Sequence, residues 1–115
     1  IAYTFAAAGC SVLLVDTSAD ALGRATKQID TLLRAAVQRN LLATEAADAA
    51  LRSLRTSPRL DEALAGTRLF VETASENLAV KQGIFRDAEK LLPADALLAT
   101  NTSALSITEI GSVLQ

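Results

Sequence analysis

Three polar clusters in this chain have the residue types and spacing for chemistry: Asp16, the segment 72–76, and Asn101-Thr102-Ser103. Each follows a short apolar run. A carboxylate placed like Asp16, at the carboxyl end of a buried strand, can accept hydrogen bonds from ribose hydroxyls and repels an added phosphate. No arginine follows to receive such a phosphate, because Thr17 and Ser18 come next. The alternative for Asp16 is a local role capping the helix ahead. Glu76 and Lys81 are of opposite charge and five positions apart. Read on one helix they point roughly 140° apart, so they are not an ordinary i,i+4 surface pair. Local rules alone make Glu76 a first-turn charge that complements the helix dipole, and put Lys81 on a solvated face. The Ser103 hydroxyl can bind a substrate or cofactor oxygen, or it can simply satisfy turn backbone. Ser106 and Glu109 already account for the next helix cap, which leaves Ser103 and Asn101 with less local explanation.

Other chemistries are excluded by composition. The chain has no histidine and one cysteine, Cys10. Imidazole acid–base catalysis within these residues is therefore impossible, and neither a zinc cluster nor an internal disulfide is expected. Cys10 reads as a small packed residue. Eleven Lys and Arg against thirteen Asp and Glu give a net charge of -2, so no nucleic-acid footprint is expected. Arg24, Lys27 and Arg34 share a helix face that reads as solvated. Arg39, at the tip of a helical hairpin, is better placed to meet an anionic ligand, and Arg52, Arg55 and Arg59 are weaker candidates for the same role. No apolar run approaches the ~20 residues of a membrane span, and no signal segment opens the chain. A reduced compartment, cytosol or matrix, fits this pattern.

The elements that must hold these residues follow from periodicity. Residues 11–16 read as a strand buried on both faces. Thr17 or Ser18 caps a long amphipathic helix with Leu22, Ala25, Ile29, Leu32, Leu33, Ala36 and Val37 inward, reaching about Asn40. Thr44 caps a second helix with Ala47, Ala50, Leu51 and Leu54 inward, and the two form a hairpin. Thr56-Ser57-Pro58 breaks the pattern. A short helix over 61–65 ends at Gly66, a second strand covers 68–72, and a helix opened near Ser75 turns Leu78, Phe85, Ala88 and Leu92 inward until Pro93. A third strand covers 96–100, and Ser106-Ile107-Thr108-Glu109 is a capping box for the last helix. Before all of these, residues 1–8 are helical and Gly9 stops them.

Strands alternating with helices mean right-handed crossovers and a parallel α/β sheet, with ligands outside the carboxyl ends of the strands. The three polar clusters fall at those ends and are expected to converge on one crevice. With 115 residues, half of them hydrophobic and only 3% aromatic, the chain is about one domain with a core of Ala, Leu, Val and Ile. The uncapped helix at Ile1 and the helical pattern at Leu114-Gln115 read as cuts through a larger domain.

Four segments together resemble the NAD-binding domain of the L-3-hydroxyacyl-CoA dehydrogenases, which include the 3-hydroxybutyryl-CoA dehydrogenases. They are Ile1–Gly9 with Val12–Asp16; the hairpin with Asn40-Leu41-Leu42 and Glu45-Ala46-Ala47; Val71-Glu72 with Glu76-Asn77-Leu78 and Lys81; and Asn101 through Ile110, the most distinctive. The resemblance covers nearly the whole chain. It implies a Rossmann-type parallel sheet with a helical hairpin insertion at about 18–54, lacking the first strand and the glycine loop.

The resemblance also implies roles. Asp16 matches the residue that binds the adenosine ribose of NAD. Glu76 and Lys81 match residues lining the NAD site, and Ser103 matches the active-site serine that touches cofactor and substrate oxygen. Arg39 falls where the family often has a basic coenzyme A contact. The implied reaction oxidises an L-3-hydroxyacyl-CoA, as in fatty-acid β-oxidation, with hydride passing to NAD. The full enzyme is expected to be a homodimer. The family's catalytic His–Glu pair and C-terminal helical domain have no counterpart here, and Asn40 stands where Gly is more usual. Two other readings stay open: a sister dehydrogenase of a polar hydroxy acid, and a truncated, non-catalytic nucleotide-binding module.

Overall fold

Two helix stops in the first half of the chain are built in the same way. In the computed structural model, which describes residues 1–115 apart from the side chains of residues 62 and 63, α1 (Ala2–Ala7) ends in Gly9 with φ +86°. The Cys10 N–H donates to Phe5 O at 3.0 Å and the Gly9 N–H to Ala6 O at 3.0 Å. That pair of bonds is a Schellman motif, which needs a left-handed residue between them. The long helix α2 (Ala19–Gln38) ends likewise, with Leu41 N–H on Ala36 O at 2.9 Å and Asn40 N–H on Val37 O at 3.0 Å. Here the left-handed residue is Asn40, φ 57°, a role asparagine tolerates.

The chain divides into two compact units, Ile1–Arg59 and Leu60–Gln115. In the first, β1 (Val12–Val15) leads into α2, whose N-cap Ser18 accepts the Ala21 N–H at 3.2 Å. α3 (Thr44–Ser53) completes the hairpin. Its N-cap is Ala43, with no side-chain cap bond, and not the expected Thr44. The turn at Asn40 and the inward packing of Leu42 set where the chain re-enters helix, so Thr44 is already its first residue. Ala6, Ile29, Leu33, Ala47 and Ala50 form the core, with small alanines that let the three helices approach closely. Leu32, read as inward, is 41% exposed, at the edge of the apolar stripe. Arg34 is not simply solvated: it bridges Asp30 at 3.2 Å and Asp48 at 2.7 Å, tying α2 to α3. Cys10 is exposed, a correction to the packed role, because it sits in the turn after Gly9.

α3 runs directly into a strand that the hydropathy pattern conceals, β2 (Leu54–Ser57). It pairs in parallel with β1 from Val12↔Leu54 to Val15↔Ser57. Its sequence, Leu-Arg-Thr-Ser, lacks an apolar run because Arg55 and Thr56 are exposed. Only Ser57 is buried, its hydroxyl donating to Arg59 O at 2.8 Å.

The second unit opens on a 3-10 turn, Glu62–Gly66, in place of the short helix expected there. β3 (Leu69–Glu72) and β4 (Leu97–Thr100) then pair in parallel, from Leu69↔Leu97 to Glu72↔Thr100. Between them α4 (Leu78–Glu89) turns Lys81, Phe85 and Ala88 inward. Phe85 meets Phe70 of β3 edge to face, with ring centroids 6.4 Å apart. α5 (Ile107–Gly111) is capped by Ser106, which accepts the Glu109 N–H at 3.3 Å, and Gln82 of α4 donates to Glu109 O at 2.8 Å. Burial of Ile110 completes this contact.

Candidate functional site

The N-cap of α4 decides the geometry at the ends of β3 and β4. Asn77 takes that position, and its side chain accepts the Val80 N–H at 3.1 Å. Glu76 therefore lies outside the helix, one residue before its cap, and the angular separation expected for two helical residues does not apply. Glu76 Oε2 stands 3.6 Å from Lys81 Nζ. The expected solvated Lys81 is also corrected: its side chain is fully buried, 0% exposed.

A buried ammonium must spend its three donors on protein oxygens. Lys81 Nζ donates to Glu72 Oε2 at 2.8 Å, to Ala74 O at 3.4 Å and to Asn101 O at 3.3 Å. Glu72, equally enclosed, also accepts the Thr100 hydroxyl at 2.6 Å and the Ala74 N–H. Its backbone carbonyl accepts the Asn101 N–H at 2.8 Å. No described buried side-chain nitrogen or oxygen lacks a partner.

Glu76 joins this buried pair to the turn after β4. Its Oε1 accepts the Thr102 hydroxyl, the Ser103 N–H at 3.1 Å and the Ala104 N–H at 3.2 Å. Thr102 Oγ1 in turn accepts the Leu105 N–H at 3.1 Å. The Thr102 hydroxyl bond holds the Glu76 carboxyl below the usual carboxylate range, helped by the backbone N–H groups of Ala104 and Ser103 and by the charge of Lys81, against a smaller opposing effect of desolvation. Ser103 is thus held through its backbone while its exposed hydroxyl has no protein partner among the described residues. The structure brings Glu76, Lys81 and the Ser103 turn together.

Asp16 and Arg39 belong to the first unit. Asp16 is exposed just past β1, and its Oδ1 accepts the Ser18 N–H at 2.8 Å. The helix cap is Ser18, not Asp16; Asp16 closes the turn before it through one carboxylate oxygen. Arg39 is the exposed C-cap of α2. The 20 residues of that helix separate it from Asp16 by roughly 30 Å at 1.5 Å per residue. The two cannot grip the same small group. Among the described residues no cluster of acidic residues and Cys could hold a metal ion.

The sequence matches, over residues 1–115, the family described as 3-hydroxyacyl-CoA dehydrogenase, NAD binding domain. The chain belongs to this family. It is 40% identical over 116 residues to the 3-hydroxyadipyl-CoA dehydrogenase of Escherichia coli (strain K12), covering 100% of this chain and 24% of the relative. To the mitochondrial hydroxyacyl-coenzyme A dehydrogenase of Homo sapiens it is 35% identical over 117 residues, covering 97% of this chain and 37% of the relative. The crystal structure of 3-hydroxybutyryl-CoA dehydrogenase from Escherichia coli K12 superposes with a TM-score of 0.91 at 38% identity, over 99% of this chain and 24% of that one. The fold is thus the Rossmann-type α/β fold of this dehydrogenase domain, with NAD as its cofactor. The chain spans 24% and 37% of the length of these two relatives.

One participant escaped the sequence reading. Glu72 reads in the sequence as the acidic end of a strand and the start of the 72–76 cluster, with no partner assigned, yet it is the partner that lets Lys81 be buried. Its signal was a carboxylate closing an otherwise apolar strand, with a lysine nine positions on.

Proposed function

We propose that the protein carrying this chain is an NAD-dependent dehydrogenase that oxidises L-3-hydroxyacyl-CoA to 3-oxoacyl-CoA. The observation that carries this reading is Ser103, whose backbone is fixed by Glu76 while its exposed hydroxyl has no protein partner among the described residues. A hydroxyl held so is free to bond the substrate's 3-oxygen and orient it. Bound NAD supplies the hydride acceptor. As the hydride leaves the substrate carbon, the hydroxyl proton passes to a base and the carbonyl forms. The chain has no histidine, so we place that base outside these residues.

In the same reading Asp16 accepts bonds from the adenosine ribose hydroxyls and disfavours NADP, with no arginine beside it to receive a phosphate. Glu76 and Lys81 serve the cofactor site on the Ser103 side. Arg39 offers its guanidinium to coenzyme A. The acyl-CoA is the partner molecule, no nucleic acid is bound, and the active enzyme is a homodimer in the cytoplasm or mitochondrial matrix. Among the described residues no helix is long and apolar enough to cross a membrane. The test is titration of NADH and NADPH by fluorescence into the wild type and Asp16→Ala. Preference for NADH, weakened about ten-fold or more by the substitution, supports the reading. Equal binding of both nucleotides, unchanged in the variant, contradicts it.

A further inference from the structure

We propose that Ser57 is a positioning residue for the cofactor. Its buried hydroxyl locks the end of β2, and through that strand end it fixes the Asp16 carboxylate just past β1. The inference deepens the NAD reading and rests on it for what Asp16 holds; the lock itself stands on the geometry of the first unit.

Ser57 is a buried hydroxyl, 6% exposed, among residues open to solvent: Thr56, Pro58 and Arg59 are all exposed. Pro58 accounts for the arrangement. Proline holds the residue before it extended and has no N–H to donate. The next N–H, that of Arg59, turns back to Ser57 Oγ at 3.3 Å, and the same hydroxyl donates to Arg59 O at 2.8 Å. Serine closes turns in this way where a backbone ladder stops. With the turn closed, the Ser57 carbonyl is held in place and accepts the Asp16 N–H at 3.2 Å. That bond lies just beyond the last paired residues, Val15 and Ser57, and ties the Asp16 backbone to β2. Asp16 Oδ1 accepts the Ser18 N–H at 2.8 Å, two residues along its own chain. The carboxylate therefore moves with its backbone, and the backbone with Ser57. A hydrogen bond weakens steeply as its acceptor turns out of line, so a ribose held by Asp16 feels any slack at the end of β2. The fold feels it less. The Arg59 N–H and carbonyl belong to an exposed residue, where water can replace the lost hydroxyl.

The test is a double-mutant cycle on NADH affinity, read by fluorescence titration of the full-length protein as wild type, Ser57→Ala, Asp16→Ala and the two combined. Hydrogen exchange of peptides covering residues 12–18 is read without ligand. Asp16→Ala is expected to weaken NADH about ten-fold or more, and Ser57→Ala roughly three- to ten-fold. In the combined variant the Ser57 substitution should add less than about two-fold, because the residue it positions is gone. Ser57→Ala should also speed exchange at the Asp16 amide by about ten-fold while exchange in α2 stays within about two-fold. A merely structural serine would weaken NADH by the same factor with or without Asp16, and that result overturns the proposal. Wild-type affinity in Ser57→Ala overturns it as well. Ser57→Thr and Ser57→Val, alike in shape and different in the hydroxyl, give the same comparison if Ser57→Ala does not fold. Threonine should then bind NADH at least about three-fold more tightly than valine, and equal affinities overturn the proposal. Unchanged affinity in Asp16→Ala refutes the ribose reading and with it the cofactor role of Ser57, while exchange at Asp16 reads the lock on its own.

Discussion

Lys81 Nζ lies 2.8 Å from Glu72 Oε2, with both side chains sealed from solvent. Such a pair is retained only when its remaining donors and acceptors are satisfied, and here Thr100, Ala74 and Asn101 do so. Removing one partner strands the other charge. Lys81→Met is expected to destabilise the protein by about 3–5 kcal/mol, and the double variant Glu72→Gln/Lys81→Met by markedly less. Urea unfolding of both variants checks this. Equal losses in the two would mean the pair contributes packing volume and no coupled charge.

Glu76 predicts a pH dependence with a definite sign. Its carboxyl is held below the usual range, first by the Thr102 hydroxyl, so the charged form is favoured in the folded turn. The stabilisation is present above the ordinary carboxylate pKa and is lost as pH falls through the lower, folded value. Protection of the turn should therefore start to fall as pH drops through the range in which free glutamate protonates, and level off only below the lowered, folded value. Glu76→Gln should lose that dependence. Hydrogen-exchange protection at residues 103–104 against pH reads both; protection in the wild type that does not fall with acid, or falls equally in Glu76→Gln, contradicts the assignment.

The two Schellman turns give an opposed pair. Gly9→Ala forces a Cβ into a left-handed residue with φ +86° and should cost about 1–2 kcal/mol, although nothing crowds the position. Asn40→Gly, at φ 57°, should be neutral or stabilise by less than about 1 kcal/mol. Thermal unfolding of both decides it. Destabilisation by Asn40→Gly would show that the asparagine side chain contributes more than tolerance of φ.

Much of the fold was legible because each signal had a local physical cause. The apolar runs at 12–15, 69–72 and 97–100 are strands within a residue of where hydropathy put them, but they are half-buried rather than enclosed on both faces, with Leu69 and Leu97 exposed. Gly9, Ser18 and Ser106 perform the stop and the caps read from their types. β2 was hidden because Leu-Arg-Thr-Ser, exposed at its two middle residues, satisfies its backbone on β1 without an apolar run to show it. The Glu76–Lys81 contact was hidden for a different reason. Angular counting along a helix assumes that both residues are on it, and Asn77 takes the cap one position too late for Glu76. The burial of Lys81 depends on Glu72, a tertiary partner that no periodicity reveals.

Ser103 carries the central claim, and turnover tests it most directly. The full-length protein is assayed with acetoacetyl-CoA and NADH, wild type beside Ser103→Ala, with NADH affinity measured on both. We expect the wild type to oxidise NADH. The variant should lose roughly a hundred-fold or more in kcat, as for loss of a donor aimed at the reacting oxygen, with NADH affinity within about three-fold. Wild-type turnover left unchanged by Ser103→Ala would contradict the account.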